Sequence, residues 1–78
     1  MLIEVFGPGC AKCNQSADVA RAFLADKGIE GEVVKHTDLE VMVSRGVLRT
    51  PAIYVDGEKL LAGRALRTKD LEALLEGK

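Results

Sequence analysis

The stretch Leu2-Ile3-Glu4-Val5-Phe6-Gly7-Pro8-Gly9-Cys10-Ala11-Lys12-Cys13 sets two cysteines three apart, between a short apolar run and a segment of helical spacing. Strand, turn and helix are the expected order. A Cys-x-x-Cys in isolation suits a zinc knuckle, a metal carrier or a dithiol redox centre, but at the head of a helix its chemistry is biased. Unpaired backbone N–H groups and the positive end of the helix dipole favour thiolate at Cys10, and Lys12 adds a cation. The stripe Cys13, Ala17, Ala20, Leu24 recurs at intervals of four, three and four, with Phe23 beside it. Asn14, Gln15, Asp18 and Arg21 take the other side, so one amphipathic helix runs from Ala11 to about Lys27 and stops at Gly28. Cys13 therefore points toward the core while Cys10 stays at the helix mouth. Cys10 is expected to attack and Cys13 to resolve.

Working outward, Leu2 to Phe6 is apolar except for Glu4 and suits a central strand covered on both faces. Glu32 to His36 reads as a second strand, parallel to the first because a helix separates them. Thr37-Asp38-Leu39-Glu40 is a capping-box signature for a short helix carrying Leu39, Met42 and Val43 and ending at Gly46. Residues 52–55 and 59–62 flank Asp56-Gly57, a hairpin signal. A last helix begins near Thr68, with Asp70 and Glu72 in its first turns and Leu71, Leu74 and Leu75 on one face. The order β-α-β-α-β-β-α predicts an α/β fold, a mixed four-stranded sheet flanked by three helices.

Seventy-eight residues leave material for one domain, residues 1–78, with one core. Hydrophobic residues at 47% against 29% charged are those of a folded globular domain rather than a disordered chain. A net charge of −1, with acids and bases interspersed, supplies no basic patch for nucleic acid or an anionic membrane. The first six residues read as a strand rather than a signal peptide, and no apolar run approaches the ~20 residues of a membrane span. A cytoplasmic location is expected, where a Cys-x-x-Cys more often turns over or binds metal than staples a fold. A structural zinc site wants four ligands, and beyond the two cysteines only His36 is a donor of that kind. No metal site is expected.

Gly7-Pro8-Gly9-Cys10-Ala11-Lys12-Cys13 at the strand-to-helix turn, Thr50-Pro51 before the third strand, and Asp56-Gly57 followed by Gly63 together resemble a compact thioredoxin fold lacking the extra N-terminal strand and helix. The group most similar is the small, glutaredoxin-sized, thioredoxin-like redox-active disulfide proteins of archaea and bacteria. The resemblance implies a cis Pro51 opposite the cysteines, a substrate segment pairing with the backbone of Thr50, and Gly63 in the adjoining loop. It also offers Glu4, six residues before Cys10, as a proton acceptor beneath Cys13; the other reading of Glu4 is a strand-end carboxylate reaching solvent. The chain departs from standard thioredoxins in lacking a tryptophan before Cys10 and in Ala11-Lys12 between the cysteines. It departs from standard glutaredoxins in lacking their Pro-Tyr dipeptide and glutathione-binding residues.

The function expected is a thiol–disulfide oxidoreductase reducing protein or small-molecule disulfides. No bound cofactor is needed beyond the redox-active disulfide itself. The partners implied are disulfide-containing proteins and a separate thioredoxin-reductase-like electron donor, with the protein a monomer. The alternative is a copper(I) carrier using the same two thiolates. Heavy-metal-binding domains of that type run β-α-β-β-α-β, however, and have no use for Thr50-Pro51. A binding module without turnover is a third reading, against which the retention of both cysteines speaks. His36 reads as a surface or cap-adjacent residue, Phe6 and Tyr54 as sheet-packing aromatics, and Arg49 and Arg64, which flank the Thr50-Pro51 and Gly63 loops, as solvated residues or, in the other reading, as cations that steer an acidic partner.

Overall fold

The computed structural model describes every residue except Cys10, Gly77 and Lys78, and the side chain of Glu76. Seven elements follow in the order expected: β1 (Leu2–Phe6), α1 (Ala11–Lys27), β2 (Glu32–His36), α2 (Leu39–Ser44), β3 (Ala52–Val55), β4 (Glu58–Ala62) and α3 (Thr68–Glu76). The sheet order is β2-β1-β3-β4. β1 pairs with β2 in parallel and with β3 antiparallel, and β3 and β4 form the hairpin. Residues Asp56 and Gly57 turn it with positive φ, 51° and 87°, as the two-residue turn requires. Asp56 also clasps β1: its N–H donates to the Leu2 carbonyl and its carboxylate accepts from the Leu2 N–H, both at 2.8 Å.

Strand alternation sorts β1 between two faces. Ile3 and Val5 join Cys13, Ala17, Ala20, Phe23 and Leu24 of α1, Ile53 and Val55 of β3, and Leu66 and Leu71 in the larger core. Phe6, Met42 and Ala52 form a smaller one under α2, with Val47 and Tyr54 packed against it. The buried stripe of α1 matches the spacing read from sequence, with one addition, Ser16. Its hydroxyl donates to the Lys12 carbonyl at 2.7 Å and accepts the Leu66 N–H at 2.9 Å. The loop after β4 is thereby tied to the first turns of α1.

One local expectation is corrected, the cap of α2, and two apolar faces prove only partly buried. α2 is capped by Asp38, whose carboxylate accepts the Glu40 N–H at 2.8 Å, so the cap lies one residue later than a box opened by Thr37. Of the three apolar residues assigned to α2, only Met42 is buried; Leu39 and Val43 are 72% and 70% exposed. A six-residue helix is under two turns long and has little surface to bury. In α3, Leu71 is fully buried but Leu75 is 40% exposed.

Candidate active site at the strand-to-helix turn

β1 ends at Phe6, and the Gly7 N–H still donates to the His36 carbonyl at 3.0 Å, so the parallel ladder persists to the lip of the turn. Gly9 follows with φ of 86°, a conformation natural to glycine, and α1 opens at Ala11. Cys10, the expected nucleophile, lies outside the described residues. Lys12 is exposed on the first turn of α1, and Cys13 is 2% exposed, set in the larger core.

Two residues close around Cys13. A Cβ placed on Gly7 would overlap the Cys13 sulfur, so the absence of a side chain there is what admits the thiol. The same Cβ would lie 3.8 Å from the Cα of Pro51. The Thr50-Pro51 peptide bond is cis, Pro51 is buried and Thr50 is exposed. The Pro51 carbonyl accepts the Gly63 N–H at 3.0 Å, and Gly63 itself has φ of 89°. Gly7, Cys13, Pro51 and Gly63, far apart in sequence, therefore share one end of the sheet. A larger cavity of about 370 Å³ lies at the other end of β3, among Met1, Val55, Leu74 and Leu75, away from Cys13.

Glu4 is not beneath Cys13. Alternation places it with Phe6 on the α2 face, while Cys13 packs with Ile3 and Val5 on the opposite one. Nor does it reach solvent, being 7% exposed. Its carboxylate meets His36 Nε2 at 2.9 Å and the Arg45 guanidinium at 3.3 and 3.4 Å. Burial pushes the Glu4 carboxyl up, but hydrogen bonds and charge from Arg45 and His36 together outweigh it, and the net displacement is downward. His36 stacks on Phe6 with ring centroids 4.5 Å apart, and the Arg45 guanidinium sits 5.2 Å above the same ring. Sequence reading passed over Arg45 entirely, and set His36 at the surface rather than in this cluster.

A role confined to packing and charge has a measurable signature. Glu4→Gln is expected to lower stability by about 1–2 kcal/mol in urea unfolding, less than a fully buried pair would lose because Arg45 and His36 both retain access to water. The rate at which a trapped mixed disulfide resolves should stay within about 2-fold of the parent, since no proton passes from Cys13 to this face. A large fall in that rate would restore Glu4 to the reaction.

Arg64 is not merely solvated. It forms a two-pronged pair with Asp70 at 2.8 and 2.9 Å, and Asp70 also accepts the Arg67 N–H at 2.9 Å, bracing the start of α3. The Arg64 hydrogen bonds lead in holding the Asp70 carboxyl at about 2, below its ordinary 3.8, against the opposing effect of burial. A lowered carboxylate stabilises the fold above its unfolded value and ceases to do so as pH falls through the folded one. Asp70→Asn is therefore expected to lose about 1–2 kcal/mol at neutral pH, a figure reduced for the half-exposed guanidinium. Its deficit relative to the parent should shrink below pH 3.8 and close near pH 2. Denaturant midpoints across that range test this.

The thioredoxin domain profile matches residues 1–76. The chain belongs to the thioredoxin-domain family. That family is one of thiol–disulfide oxidoreductases, with small members in archaea and bacteria. The chain is 32% identical over 82 residues to a thioredoxin of Methanocaldococcus jannaschii, covering 100% of this chain and 94% of that one. It is 29% identical over 75 residues to a thioredoxin of Methanothermobacter thermautotrophicus, covering 96% and 97%. Among solved structures, a Staphylococcus aureus protein of unknown function superposes with a TM-score of 0.72 at 18% identity, over 99% of this chain and 89% of that one. Thioredoxin 1 of Thermosipho africanus superposes with a TM-score of 0.57, also at 18% identity, over 97% and 96%. The fold is the thioredoxin fold. Among the described residues no helix is long and apolar enough to cross a membrane.

Proposed function

We propose that this chain reduces protein disulfides through Cys10 and Cys13, cycling without a bound cofactor. The observation that supports it is the seating of the Cys13 sulfur: buried at the head of α1, against Gly7 and near the cis Pro51, with Thr50 exposed next to that proline. Cys10 thiolate attacks one sulfur of the target, forming a Cys10–target disulfide and expelling the other target sulfur as a thiolate, which takes a proton. Cys13, as thiolate, then attacks Cys10, closing the Cys10–Cys13 bond and releasing the second target thiol. Two electrons pass from dithiol to target. An external two-electron donor, a dithiol or a reductase of the thioredoxin-reductase kind, reopens the pair. Such work belongs to a reducing compartment such as the cytoplasm.

The test is the reduction potential of the metal-free protein, by equilibration in graded dithiol buffers, alkylation and mass analysis. A reversible two-electron midpoint of roughly −180 to −280 mV is expected. A pair that stays reduced in every buffer, or oxidises only between molecules, overturns the reading and makes copper(I) titration the next experiment.

A further inference from the structure

The loop entering β3 carries an apolar residue that the fold does nothing to cover. Leu48 is 96% exposed, two residues before Thr50. Beside it lies a cleft of about 180 Å³ on the α2 face, lined by Val47, Leu48, Arg49, Tyr54, Lys59 and Ala62 among others. Its wall is part apolar and part cationic, and no acidic side chain lines it.

The cations are the second observation. Among the described residues, Arg21, Lys27, Arg45, Arg64 and Arg67 each pair with an acid of this chain. Among the same residues, Arg49 and Lys59 make no such pair and no hydrogen bond, while Lys12, Lys35 and Lys69 also meet no acid. Of these unpaired cations, Arg49 and Lys59 are the two that line one cleft. Position is the third: Arg49 precedes Thr50, and its Cδ lies 3.4 Å from where a Gly63 Cβ would stand. The cleft therefore begins one residue from the Thr50-Pro51 bond and continues away from Cys13 along the outer side of the β3–β4 hairpin.

We propose that this cleft receives an acidic, apolar flank of the protein whose disulfide is reduced, its carboxylates meeting Arg49 and Lys59 and its apolar side chain covering Leu48 and Tyr54. This rests on the thiol–disulfide reading above and specifies its substrates: disulfides flanked by glutamate or aspartate beside a large apolar residue. Exposed charges at the rim steer association and choose between partners, and the apolar contact holds the complex.

The test is an amide chemical-shift titration of the full chain with three cysteine-free octapeptides, identical except that a central leucine is flanked by two glutamates, two lysines or two glutamines. The glutamate peptide is expected to shift residues 47–49, Tyr54, Lys59 and Ala62, with a Kd at least about 10-fold below that of the lysine peptide at low salt. In R49E/K59E, whose substitutions lie on the exposed surface, the order of affinities should invert, and Leu48→Ser should weaken all three peptides together. Equal affinities, shifts confined elsewhere, or an order unchanged in R49E/K59E would overturn the proposal. So would equivalent shifts with glutathione disulfide, which assign the cleft to a small molecule, or shifts that grow with protein concentration alone, which assign it to a second copy. Turnover of 2-hydroxyethyl disulfide, which has no flanks, is measured in parallel: its absence sinks the redox reading, while the titration still decides the cleft.

Discussion

Cys13→Ser is expected to capture the protein on its targets, as a mixed disulfide through Cys10 that survives non-reducing electrophoresis and is identified by mass. Serine keeps the size and removes the group that displaces the target. Multiple turnover should fall by about 100-fold or more, because well-placed intramolecular groups reach effective molarities of ~10⁵ M, which no free thiol in solution approaches. The fold should tolerate the change: one sulfur becomes a hydroxyl in an apolar core, at a cost of about 1–3 kcal/mol. Cys10→Ser should give neither turnover nor adduct. If Cys13→Ser turns over normally, or no adduct accumulates while Cys10 remains intact, the resolving role is lost.

The second large effect is expected at Gly7, where no catalytic group is present. An alanine there places a methyl within the Cys13 sulfur, and the sulfur has little room to withdraw, because Cys13 is buried among the core residues of α1, β1 and β3. Overpacking of this kind costs about 1–3 kcal/mol. A domain of this size has roughly 4–12 kcal/mol of stability in all, so the melting temperature should drop by about 5–20 °C. The diagnostic is rescue. Cys13→Ala removes the colliding atom, and Gly7→Ala/Cys13→Ala should be more stable than the sum of the two single changes predicts, by about 0.5–3 kcal/mol. Strict additivity would mean that the two residues do not contend for the same space. The same contact joins stability to the proposed chemistry: any residue at position 7 other than glycine would displace the Cys13 sulfur.

The strands and helices were legible because their signals are local. Gly7-Pro8-Gly9 ends β1, the four-three-four stripe defines α1, and Asp56-Gly57 turns the hairpin, each within a few residues of the structure it specifies. The approach of Thr50-Pro51 to the cysteine motif was legible only through family resemblance, since nothing local joins residues 38 positions apart. The side of the sheet on which Glu4 lies depends on the register of β1 against the helix crossing it. Its partner Arg45 is 41 residues away and His36 is 32, so a buried acid could be anticipated but its salt bridge could not. The burial of Ser16 was not legible from its own helix, because the N–H its hydroxyl accepts belongs to Leu66, fifty residues on. Leu39 and Val43 lie in α2 as expected yet stand exposed, as apolar spacing implies burial only where something packs against it.

The order β2-β1-β3-β4 leaves β2 and β4 as the open margins of the sheet. Each margin shows water an exposed acid and an exposed base, Glu32 and Lys35 on one and Glu58 and Lys59 on the other. A strand from another molecule could add itself at either margin only by stripping water from those charges, and β4 is further kinked where its register with β3 slips between Ile53 and Tyr54. The sheet is thus guarded against growing into a fibril. On the proposed function, a target segment would meet the sheet only at its end, beside Thr50, over a few residues.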